Sequence, residues 1–93
     1  MISRGERLEI REVLWKAVCD ELKAKDPMFR VLQDAQFYLW SAEREVSWLI
    51  EKYGLETVLE IAKSYFKDDK FKTIQGIIKR IERKRRSGNE YDC

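Results

Sequence analysis

Six cations stand between positions 79 and 86, at Lys79, Arg80, Arg83, Lys84, Arg85 and Arg86, with Glu82 the one acid among them. Groups of this kind at this density hold oxyanions. Arg outnumbers Lys four to two here, and its planar fork gives a phosphate two parallel hydrogen bonds. Cations in a last helical turn also complement the helix dipole at about 0.3–1 kcal/mol each, but one or two residues fill that role. Six exceed it and repel one another unless an anion screens them. The rest of the chain makes the excess plainer: residues Met1 to Lys70 carry 12 Lys and Arg against 14 Asp and Glu, whereas Phe71 to Cys93 carry 7 against 3. A basic end on a near-neutral body points to a polyanion, and single- or double-stranded DNA is the simplest. Lys79, Arg80, Arg83, Lys84, Arg85 and Arg86 are the candidate phosphate contacts, with Lys72 and Thr73 at the opposite end of the same segment. Such contacts position a nucleic acid without reading its sequence.

Other chemistry has little to work with. The chain has no His, which removes the commonest general base and the commonest metal ligand. Carboxylate pairs occur at Glu9/Glu12, Glu43/Glu45 and Asp68/Asp69, and on helices and turns such pairs are ordinarily solvated surface. Cys19 has no His to activate it and reads as a small apolar residue, and Cys19 and Cys93 lie too far apart to form a metal knuckle. None of Gly5, Gly54, Gly76 and Gly88 belongs to a phosphate-cradling loop. The expectation is a non-enzymatic protein with no catalytic residue, metal, cofactor or small-molecule substrate. With two cysteines, no apolar leader and no run of 18 apolar residues, it is expected in a reducing, cytoplasmic setting without a membrane span.

The elements that must carry these residues are helical. Period-2 alternation bounded by turn residues is nearly absent, while 3.6-residue spacing recurs throughout. Between Glu6 and Ala24, Ile10, Val13, Leu14, Ala17 and Val18 form one stripe. A second flank of Leu8, Trp15, Cys19 and Leu22 makes this helix either central to a bundle or part of a subunit interface. Asp26-Pro27 signals a helix start, with a second helix expected from Pro27 to about Leu39, through Phe29 and Leu32. Ser41 can cap a third helix that Gly54 ends, although the second and third can fuse. Leu55 to Phe66 makes a further helix, Lys67 to Lys70 a polar turn, and the last helix begins near Phe71 or Thr73. Ile74, Ile77, Ile78 and Ile81 are its core stripe, Gly76 suggests close packing, and Arg85 takes the angle of the next apolar residue, so the basic end should leave the body. The aromatic side chains are assigned to the core by default, with Tyr38 and Trp40 the likeliest to show. The fold expected is an all-α, compact bundle of four to five short helices in one domain, residues 1–86, with a tail from Ser87 to Cys93.

Ser41, Tyr53-Gly54-Leu55-Glu56, Val58-Leu59 and the run Phe71-Lys72-Thr73-Ile74-Gln75-Gly76-Ile77-Ile78-Lys79-Arg80-Ile81 together resemble the C-terminal helical domain of DnaD-like primosomal and phage replication proteins. The resemblance covers about half the chain, from Ser41 to Arg86. It implies a helical domain whose last helix meets single-stranded DNA and initiator or helicase partners. Thr73 and Ile81 stand where that family has Tyr and Trp, so what carries over is the basic residues. The functional expectation is therefore an accessory module of a replication complex, of phage or plasmid type. The alternative is a small helical protein-interaction factor, such as a viral or plasmid inhibitor or a homodimer, with Leu8, Trp15, Leu22, Tyr38 and Trp40 as the interface.

Overall fold

The computed structural model describes residues 2–28 and 35–91, with side chains through Arg85. Among the described residues there are four helices and no strand: α1 (Arg4–Lys25), α2 (Ala35–Tyr53), α3 (Leu55–Tyr65) and α4 (Asp68–Tyr91). The expected all-α bundle is what forms. Phe29 and Leu32, which the sequence places in a second helix, lie outside the described residues, as does Cys93.

Local chemistry sets the helix ends. α1 opens two residues earlier than its apolar stripe suggests, because Ser3 and Glu6 form a capping box: Glu6 N donates to Ser3 Oγ at 3.2 Å and Ser3 N donates to Glu6 Oε1 at 3.0 Å. Asp26 behaves as a cap, its Oδ1 accepting from Met28 N at 3.0 Å with Pro27 at the intervening position. Ser41 does not start a helix. α2 runs through it without a break, so the expected second and third helices share one rod from Ala35 onward. Gly54 ends that rod at φ +93° and ψ 149°, a backbone conformation almost restricted to glycine, and α3 begins at the next residue. α4 starts at Asp68, ahead of the expected Phe71, because Asp68 and Asp69 favour the positive end of a helix dipole. Its backbone stays helical to Tyr91, past the Ser87 expected to open the tail.

The core is aliphatic. Ile10, Leu14, Ala17 and Val18 of α1 meet Ala42, Val46 and Leu49 of α2, Val58, Ile61 and Ala62 of α3, and Ile74, Ile77, Ile78 and Ile81 of α4. The isoleucine stripe is buried as its spacing requires. Phe66 joins this cluster and Tyr53 and Phe71 pack against it, whereas Trp15, Phe37, Trp40, Trp48 and Tyr65 are exposed. The default assignment of the aromatics to the core holds for Phe66 and Tyr53, and for the exposed Trp40 the expectation that it shows holds, while for Trp15, Phe37, Trp48 and Tyr65 the core assignment is corrected. Branched aliphatics on four facing stripes already fill the small interior, and the rings remain on its rim. Gly76 is corrected too: it faces solvent, and nothing lies within 4 Å of where a Cβ would stand.

Candidate functional site

The isoleucines divide the cations of α4 into two groups. Lys72, Lys79 and Arg83 recur at intervals of seven and four residues, which puts them on the side of the helix away from Ile74, Ile77, Ile78 and Ile81. All three are exposed, and none makes an ion pair with the described residues. Arg80, Lys84 and Arg85 flank the stripe and turn toward α1 and α2.

Arg80 is an internal clamp. Its Nη1 and Nη2 donate to the two carboxylate oxygens of Glu21 on α1, each at 2.8 Å, and its Nε donates to Glu43 Oε2 on α2 at 2.7 Å. A longer bond of 3.4 Å reaches the carbonyl of Leu39. The Glu21 side chain is only 5% exposed, so this fork is what satisfies its charge. Hydrogen bonding to Glu21 first, and to Glu43 as well, drives the guanidinium pKa still higher against the opposing effect of burial. The assignment of Arg80 to phosphate binding is therefore corrected, since its donors are spent inside the domain. Sequence spacing could not show this, because both acceptors lie more than 30 residues away on other helices.

Lys84 and Arg85 are shared. Lys84 Nζ lies 2.8 Å from Glu43 Oε1 while its side chain stays 63% exposed. Arg85 donates to Ser47 Oγ at 3.2 Å and stands 3.5 Å from Glu51. Thr73 has no free hydroxyl proton to offer a phosphate, as its Oγ1 donates to the Asp69 carbonyl at 2.8 Å, one helical turn back. The Arg86 side chain lies outside the described residues.

Within the carboxylate pairs, Glu9, Glu43 and Glu45 are occupied. Glu9 holds Lys52 at 3.1 Å and the Tyr53 hydroxyl at 3.2 Å, and Glu45 holds Lys16 at 2.8 Å. Those bonds raise the pKa of both lysines, Lys52 chiefly through Glu9 and Lys16 chiefly through Glu45. An opening of about 700 Å³ lies at the turn between α3 and α4, lined by Trp15 and Tyr65 among others. Its charges balance in number, with Arg11, Lys67 and Lys70 against Glu12, Asp68 and Asp69, so it offers an anion no net positive charge. No group of side chains suited to a metal ion occurs among the described residues.

Of the candidate interface residues, Leu8, Trp15, Leu22 and Trp40 are exposed. The flank of α1 is thus an outer surface rather than the centre of the bundle. Trp15 stacks on Phe66 with centroids 6.3 Å apart, and the Lys70 ammonium covers it at 4.7 Å. Tyr38 is half-buried, with Phe37 edge-on at 5.8 Å and the Lys23 ammonium 5.5 Å from its ring. Sequence reasoning missed Arg44, Trp48 and Glu51. The spacing Trp40-x-x-x-Arg44-x-x-x-Trp48 was the available signal, and it marks one side of a helix.

No protein-family model, curated protein or solved structure matches the chain. No helix among the described residues is long and apolar enough to cross a membrane.

Proposed function

We propose that this protein is a non-enzymatic, DNA-associated accessory module that holds phosphates along the outer side of α4. The observation that carries the reading is the row Lys72, Lys79 and Arg83, exposed and without acidic partners among the described residues. It extends about 17 Å along the helix axis, from a rise of 1.5 Å per residue. The acids nearest it on α4 are Asp68 and Asp69, one turn before Lys72, and Glu82, one turn after Lys79, and none of them forms an ion pair with it among the described residues, while Glu21 and Glu43 are engaged by Arg80 and Lys84 on the inner side. Lys84, largely exposed, extends the field toward the end of the helix, and Arg86 follows in sequence. The resemblance to DnaD-like domains adds the setting, a replication complex in a reducing cytoplasm.

Fluorescence anisotropy with labelled single- and double-stranded oligonucleotides over a salt series tests this. The double variant Lys79→Gln/Arg83→Gln should bind duplex with a log–log salt slope shallower by about 2, and single strands by about 1.4. Both side chains are exposed and make no ion pair among the described residues, so its urea midpoint should match the parent's. An unchanged slope, or no binding by the parent at low salt, would remove the proposal.

A further inference from the structure

Trp40, Arg44, Trp48 and Glu51 lie on the side of α2 opposite its buried Ala42, Val46 and Leu49. Trp40 is 51% exposed and Trp48 45%, a large apolar surface for a chain this short. The Arg44 guanidinium lies over the Trp40 ring at 5.0 Å and has no carboxylate partner among the described residues. Glu51, with 71% of its side chain exposed, has among the described residues only the long 3.5 Å contact to Arg85. Grooves run along both sides of this ridge. One, of about 470 Å³, separates it from Val13 and Lys16 of α1, and the other, of about 340 Å³, separates it from Ile81 and Lys84 of α4.

We propose that this ridge is the interface of an antiparallel homodimer. Its charge pattern is what selects a second copy over another partner. Arg44 and Glu51 are seven residues apart, so they share one side of the helix within about 20° and stand about 10 Å apart along it. A two-fold axis passing between Ser47 and Trp48, perpendicular to α2, sets Arg44 of each protomer opposite the partner's Glu51, and does so twice. The same operation sets each Trp48 ring against the partner's Ser47, one ring on either side of the axis. An isologous contact needs a patch that complements itself, and opposite charges placed symmetrically about an apolar centre meet that need. The flanking grooves leave space for a ridge of the facing helix, the usual way two helices interlock.

Sedimentation velocity over a wide concentration range, with circular dichroism as the folding control, tests the dimer. Arg44→Glu and Glu51→Arg should each raise the dimer dissociation constant by about a hundredfold, because each places two like-charge pairs across the interface. The double variant Arg44→Glu/Glu51→Arg restores both pairs with their signs exchanged, and should recover most of the association. Trp48→Ala should dissociate the dimer with little loss of stability, as the ring lies outside the core. A parent that stays monomeric up to its solubility limit overturns the inference. So does a dimer indifferent to both single reversals, one that Leu22→Glu on α1 dissociates instead, or a double variant no better than the singles. Lys84 borders both surfaces, but Lys72, Lys79 and Arg83 take no part in this contact, so the oligonucleotide salt slope of Lys79→Gln/Arg83→Gln and the self-association of the α2 variants succeed or fail separately.

Discussion

Arg80 and Arg83 are the same residue type three positions apart on one helix, yet they have opposite roles. Arg80 gives a fork of donors to Glu21 and one to Glu43, and among the described residues Glu21 has no other partner for its buried charge. Removing one member of such a pair leaves the other buried and uncompensated, at about 3–5 kcal/mol. Arg80 is 25% exposed, which favours the lower figure. Arg80→Ala should therefore destabilise the fold by about 3 kcal/mol in urea unfolding, while Arg83→Ala should leave the midpoint within about 0.5 kcal/mol of the parent. Glu6 supplies a second test at this scale. The Ser3 backbone N–H, and then the Ser3 hydroxyl, hold its carboxyl below the usual range. Its stabilisation is present above the unfolded-state pKa and is lost as pH falls through the lower folded-state value. Carbon-detected NMR titration should find Glu6 below ordinary exposed glutamates, and Ser3→Ala should move it part of the way back.

Two glycines separate what a helix requires from what it tolerates. Gly54 holds φ +93° at the junction of α2 and α3, where Gly54 N donates to the Ile50 carbonyl at 2.8 Å and its own carbonyl accepts from Val58 N at 3.1 Å. An L side chain there is strained even with open space around it, so Gly54→Ala should cost about 1–3 kcal/mol. Gly76 lies inside α4 with its outward side free, and Gly76→Ala should stabilise by up to about 1 kcal/mol. Differential scanning calorimetry on the two variants should show midpoints moving in opposite directions. α4 was legible as an element because Ile74, Ile77, Ile78 and Ile81 repeat at helical spacing and every one of them is buried. Its start was less so. Asp68 and Asp69 read as part of a polar turn, although acids belong equally well in a first helical turn, and nothing nearby in sequence distinguishes the two uses.

At the scale of the whole molecule, four apolar stripes close on one aliphatic core, and the remaining surface divides into a basic outer row on α4 and an aromatic ridge on α2. The two predicted activities, phosphate binding and self-association, belong to these separate surfaces, and the charge-swap and salt-slope experiments address them one at a time. The class of fold was determined by the sequence alone, because helical periodicity, the Asp26-Pro27 start and the Gly54 stop are local signals that survive in any packing. So was the excess of positive charge toward the end of the chain. Which cations remain available to a ligand was decided only by tertiary structure. Glu21 and Glu43 come within reach of Arg80 once α1, α2 and α4 have docked, and a carboxylate 37 or 59 residues distant leaves no trace in the spacing around the arginine. The same holds for the tryptophans. Their size argues for burial, but a core this small is filled by branched aliphatics on the facing stripes, and Trp40 and Trp48 are left on the opposite side of α2.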